Sequence, residues 1–137
     1  MKLTLKILIA IFSLTILSHC KEKLTKPISF FEDYDLNSGK YKLEVYQIEG
    51  EIIDDFKKFY IDDSETLKKM QKQWIFKYKS EVMPCGFGYE LHLVKDHKII
   101  KKTLINIDCE YMQGWIHFPK EYLTDHKNHF KRIIEND

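Results

Sequence analysis

The sequence has few of the residues that break or staple a chain: five glycines, three prolines and three cysteines in 137 residues. That scarcity excludes a collagen-like or low-complexity linker protein, and also a disulfide-dense miniature scaffold. Charge of one sign is lacking too. Lys and Arg number 22 against 21 Asp and Glu, and such a balance does not make the basic surface that nucleic acid selects, so no nucleic-acid partner is expected. An apolar run long enough to span a bilayer is also missing. The eleven residues 7–17 carry no charge, but at 1.5 Å each they cover only about half of a ~30 Å hydrocarbon core.

Catalytic signatures are equally scarce. Cys85-Gly86-Phe87-Gly88 has two glycines and no helix pattern after it, so it cradles no phosphate. Asp54-Asp55 and Asp62-Asp63 are adjacent carboxylates whose side chains point apart. Ser64, Ser80 and Thr124 sit in no nucleophile-elbow context. No cofactor is expected.

What is present begins with the leader. Lys2 and Lys6 precede the apolar run, which ends at Leu17-Ser18-His19-Cys20 before the charged stretch Lys21-Glu22-Lys23. A positive start with a short apolar run is the secretory pattern. Leu17, a small residue and then Cys20 resemble the lipobox of bacterial lipoproteins, with His19 standing where that pattern prefers Gly, Ala or Ser. The resemblance covers residues 1–20. It implies that residues 1–19 are a signal peptide, that the Cys20 thiol carries a diacylglycerol, and that the new amino terminus is acylated, typically with palmitate. The protein is then expected outside the cytoplasm in the cell envelope, with the membrane as partner through its lipid. Two or three chains hold a protein firmly where one does not. Residues 20–27 read as the lipidated Cys and a polar tether closed by Pro27.

Behind the tether, 44% hydrophobic and 14% aromatic residues supply a core for one domain, residues 28–137. Alternation predicts strands over 41–48, 87–94 and 99–109, with shorter ones at 56–61 and 115–118. Asp62-Asp63-Ser64-Glu65 offers cap chemistry for a helix over 63–73, with Leu67, Met70, Gln71 and Trp74 on one face. Pro119 can open a terminal helix whose inner side would carry Tyr122, Leu123, His126, Phe130, Ile133 and Ile134. The expected class is α+β: an antiparallel sheet with a disulfide-clasped hairpin and two helices packed on it.

The clasp follows from register arithmetic. A three-residue loop at Asp96-His97-Lys98 pairs residues whose numbers sum to 194, placing Tyr89 opposite Ile105, Phe87 opposite Ile107, and Cys85 opposite Cys109. A one-residue slip would mix apolar and polar positions on one face. With Cys20 lipidated, Cys85 and Cys109 form an even pair in an oxidising compartment, where a disulfide is expected. A redox or catalytic role would need C-x-x-C spacing or an adjacent base.

The remaining site candidates are histidines and aromatics. His126 and His129 stand at i and i+3 on the predicted terminal helix beside Asp125, near enough to share a metal, though no third ligand follows at a recognisable spacing, so no metal is expected. His92 shares the polar face of its strand with Glu90 and Lys102, where a carboxylate could tune the imidazole; convergence of the histidines with Glu90, Asp108 or Asp125 would favour an enzyme. Trp115, with Tyr111, Phe118 and Tyr122, could recognise sugar or peptide through large amphipathic rings, or simply fill the core. The reading that results is a lipid-anchored envelope protein with a small non-catalytic binding domain, its partner an envelope protein or cell-wall component. Two alternatives are an immunity or inhibitor lipoprotein against a secreted toxin, and an envelope hydrolase or metal-dependent enzyme using His92 or the His126/His129 pair.

Overall fold

A computed structural model describes residues 27–32, 34–49, 57–79 and 85–134. The expected leader 1–19, Cys20, the tether to residue 26, Asp54-Asp55 and Ser80 lie outside the described residues.

In chain order the elements are β1 (Ile28–Ser29), β2 (Tyr41–Gln47), β3 (Lys58–Ile61), α1 (Ser64–Gln73), β4 (Ile75–Tyr78), β5 (Tyr89–Lys95), β6 (Lys98–Asn106), β7 (Tyr111–Met112), β8 (Ile116–His117), α2 (Glu121–Thr124), a 3₁₀ turn (Lys127–His129) and β9 (Lys131–Arg132). The strands form one antiparallel sheet in the order β1-β4-β8-β7-β6-β5-β2-β3-β9. Sheet predominates.

Alternation sets the two faces of its centre. Tyr41, Leu43 and Val45 of β2 and Tyr89, Leu91 and Leu93 of β5 are buried, while the residues between them point to the other side. The two helices put their buried residues into the same core: Thr66, Leu67 and Met70 from α1, and Leu123 from α2. Asp63 starts α1 as foreseen, accepting from the Thr66 N–H at 2.8 Å and from the Thr66 hydroxyl at 2.6 Å. Trp74 ends it, its N–H donating to the Met70 carbonyl at 2.7 Å. The fully buried Trp74 indole then centres an aromatic cluster, 5.2 Å from the Phe118 ring and 5.5 Å from both Phe30 and Phe31. Its Nε1–H donates to the Tyr122 carbonyl at 3.0 Å.

The β5–β6 hairpin keeps the sum of 194 from Tyr89–Ile105 to Leu93–Lys101, then slips to pair Val94 with Ile99 and Lys95 with Lys98. The loop is therefore the two residues Asp96-His97, not three. Both take positive φ (47° and 67°), the mirror-image turn that matches strand twist, and the displaced residue, Ile100, becomes a bulge packed against the core. The Asp96 carboxylate accepts from the Lys40 N–H at 2.9 Å, an anchorage that offsets the strained backbone.

At the open end, Cys85 and Cys109 form the expected disulfide, with Cα atoms 6.6 Å apart. The backbone ladder has already stopped at Tyr89–Ile105. Asn106 carries the pairing onward, donating through Nδ2 to the Gly86 carbonyl at 2.6 Å and accepting from the Cys109 N–H at 2.9 Å.

The predicted terminal helix is broken into three pieces. α2 stops at Thr124, the 3₁₀ turn follows, and β9 joins the sheet edge on β3. The reason is packing: the Phe130 ring stacks on Phe59 at 3.9 Å, and the Ile133 N–H bonds the Lys58 carbonyl at 3.2 Å. Covering an open sheet edge outweighed helical continuity.

Candidate functional site

The outer face of the sheet gathers one polar group from three strands. β2 runs beside β5 so that Glu44 opposes His92, and β6 runs on the other side so that Lys102 opposes it. The His92 imidazole thus lies between two carboxylates, with Nε2 3.4 Å from Glu90 Oε1 and Nδ1 3.9 Å from Glu44 Oε2. Tyr46 flanks it with ring centroids 4.9 Å apart, and its hydroxyl donates to Glu44 Oε2 at 2.9 Å. Each carboxylate has its own cation: Lys42 Nζ is 2.5 Å from Glu44 Oε1, and Lys102 pairs with Glu90.

Only 12% of the His92 side chain is exposed. Both ring nitrogens are buried, and neither makes a hydrogen bond, which is uncommon because a buried polar atom without a partner is costly. Burial holds the imidazole below its ordinary pKa, outweighing the opposite pull of Glu44. Two lysines against two glutamates leave the surroundings neutral. The ring therefore stays uncharged at neutral pH, its two nitrogens enclosed by the Glu90 and Glu44 carboxylates. Such a group can take up a proton when the pH falls.

The other histidine candidates separate. His126 is buried, its Nε2 3.3 Å from Gln73 Oε1. Burial first, then the nearby His129, keep it below its ordinary pKa against the pull of Asp125. His129 is exposed in an open groove of about 460 Å³ at the start of α1, with Asp62, Asp63, Ser64 and Lys131. Lys131 donates there to Asp62 at 2.6 Å. The two do not stand on a continuous helix: α2 ends at Thr124, Lys127–His129 is a 3₁₀ turn, and His126 is buried while His129 is exposed. Among the described residues no three His, Cys, Asp or Glu side chains are placed to hold a metal ion.

Trp115 is half-exposed, in the turn between β7 and β8 and with φ of 66°. Phe118 is core, Tyr122 packs partly against it, and Tyr111 stacks its ring on Phe87 at 5.6 Å. Asp108 is exposed beside a shallow 140 Å³ cleft lined by Phe87, Gly88 and Asn106. Ser64 is the first residue of α1, Thr124 the last of α2, and Asp125 follows α2.

Glu44 and Tyr46 belong to the His92 group and were not among the sequence candidates. Their signal was available only through pairing: once β2 is known to lie on β5, the alternation that buries Leu43 and Val45 must put Glu44 and Tyr46 beside His92. Among the described residues no helix is long and apolar enough to cross a membrane. No family model, curated protein or solved structure matches this chain.

Proposed function

We propose that this chain is a lipid-anchored protein of the cell envelope, held by acylated Cys20 after removal of residues 1–19. In this reading residues 28–137 form one non-catalytic α+β binding domain, and its outer sheet face around His92 is where the partner binds. The observation that carries the binding half is the polar cluster that three strands gather on this face, His92 between Glu44 and Glu90 with Lys42 and Lys102 more exposed around it. A peptide or glycan amide laid on this face offers an acceptor to the lysine ammonium groups and a donor to the glutamate carboxylates. The anchored half rests on the order of charge, apolar run and Leu17-Ser18-His19-Cys20 in the leader.

Binding is favoured over catalysis by the form of the site. Each cleft given above is lined by other residues, and His92 sits on a sheet face rather than in an enclosed pocket of the kind catalysis uses to exclude water. An envelope hydrolase remains the second reading because the imidazole, two carboxylates and a phenol do converge. An immunity role is a special case of the first, the partner then being a secreted toxin.

The test places a photoreactive amino acid at Leu104, beside this face, and a second at Ile134 in intact cells. A crosslinked envelope partner from Leu104 only, lost on His92→Gln, supports the reading. Equal crosslinking from both positions refutes it, and an esterase or amidase activity abolished by His92→Gln would transfer the assignment to the enzyme.

A further inference from the structure

Two large apolar side chains stay exposed at one corner of the sheet, Trp115 at 50% and Tyr78 at 39%. They end neighbouring strands: Tyr78 pairs with Ile116, and the Lys79 N–H donates to the Trp115 carbonyl at 2.8 Å. Trp115 holds a left-handed backbone, φ 66°, directly after Gly114 at 94°. A bulky residue seldom adopts that conformation, and here it presents a half-bare indole.

The corner has a definite relation to the start of the domain. β1 is antiparallel to β4, with Ile28 opposite Phe76 and Ser29 opposite Ile75. Reading back from Ser29 to Ile28 and Pro27 therefore moves along β4 from Ile75 towards Tyr78. The chain enters the sheet from the end that carries Tyr78 and Trp115. Only six residues, 21–26, separate Pro27 from Cys20, and the seven steps between the two reach at most about 25 Å. That stretch carries Lys21, Lys23 and Lys26 against Glu22, and exposed Lys77 precedes Tyr78 at the same end of β4, its side chain on the other face of the sheet.

We infer that this corner, with Trp115, Tyr78 and Lys77, is a docking surface for the phospholipid bilayer in which Cys20 is anchored. The inference rests on the lipid-anchor reading above and adds an orientation to it. Amphipathic rings settle at the headgroup level, where one end is apolar and the other wet, and lysines at the same level meet anionic headgroups. His92 lies on β5, four strands away from β4 in the sheet, or roughly 19 Å at ~4.8 Å per strand. The docked corner would leave that face free for its partner.

The experiment uses the full chain purified from its native membrane, with its acylation read first by intact mass. It is then reconstituted in phosphatidylethanolamine–phosphatidylglycerol vesicles with plain or acyl-brominated chains. The two tryptophans separate the signals, since Trp74 is fully buried and serves as the unquenched reference. Docking is supported by bromine quenching that disappears in Trp115→Phe and weakens in Lys77→Glu. An acylated chain with equal emission in both vesicles overturns docking and leaves the anchor standing; it would point to a protein as the occupant of the corner. A mass without acyl groups overturns the anchor and the docking together.

Discussion

Removing the Cys85–Cys109 bridge should cost this domain a large part of its stability. The two cysteines are 24 residues apart, and closing a loop of that length in the unfolded chain is worth about 3.5 kcal/mol in the chain-entropy model. A domain of this size typically has 5–15 kcal/mol in all. Both cysteines are only half-buried, so Cys85→Ala with Cys109→Ala removes little packing. The Asn106 bonds to Gly86 and Cys109 involve backbone groups that the variant retains. The cost should therefore come from the freed unfolded chain. Urea denaturation followed by circular dichroism would compare wild type, reduced wild type and the double variant. The expected loss is about 3 kcal/mol in both altered proteins, a fall of roughly 10–20 °C in Tm, with a slightly steeper denaturant slope as the unfolded state expands. A loss under about 1 kcal/mol would refute the argument, meaning that the hairpin persists in the unfolded chain and closes the loop by itself.

Three further outcomes follow from single residues. Trp74→Ala should destabilise by about 3–5 kcal/mol, because it empties the centre of the aromatic cluster; Trp74→Phe should lose less, chiefly from leaving the Tyr122 carbonyl unpaired, and equal losses would refute the cavity argument by showing that the lost hydrogen bond accounts for the whole effect. Asp63→Ala should lower Tm by a few degrees and Asp63→Asn by less, since the amide oxygen still caps α1; the Asp63 carboxyl, held low by its bonds to Thr66, contributes above its ordinary pKa and less as the pH falls below it. His92 has a folded pKa below its unfolded one, so the unfolded chain takes up the proton first. Its contribution is full above about pH 6.5 and declines as the pH drops through that value. Urea midpoints at pH 7.5 and 5.5 should therefore show His92→Gln gaining on wild type at the lower pH, and a constant difference between the two would disprove the burial argument.

Much of the sheet's centre was legible because its strands are long enough to show a period. Tyr41, Leu43 and Val45, or Tyr89, Leu91 and Leu93, alternate over enough residues to identify both the strand and its core face. β1, β7 and β9 have two residues each, and two residues carry no period. β4 follows α1 after Trp74 alone, and with Phe76 its one buried residue it shows no repeating core face. The terminal segment misled for a related reason. Tyr122, Leu123, His126 and Phe130 have helical spacing, but Phe130 gained more by stacking on Phe59 at an open edge than by continuing a helix.

By itself the sequence determined the elements with local causes: the Asp63 cap, the alternation of the central strands, and the β5–β6 hairpin whose arms run on to Cys85 and Cys109, although the last step to the bridge is made by Asn106 beyond the end of the ladder. Tertiary structure decided what depends on distant partners. The β2–β5 pairing brought Glu44 and Tyr46 to His92, and the β1–β4 pairing placed the start of the domain near Tyr78 and Trp115. A strand's period says which side chains share its face, but its neighbour across the sheet is chosen by the burial of the whole chain.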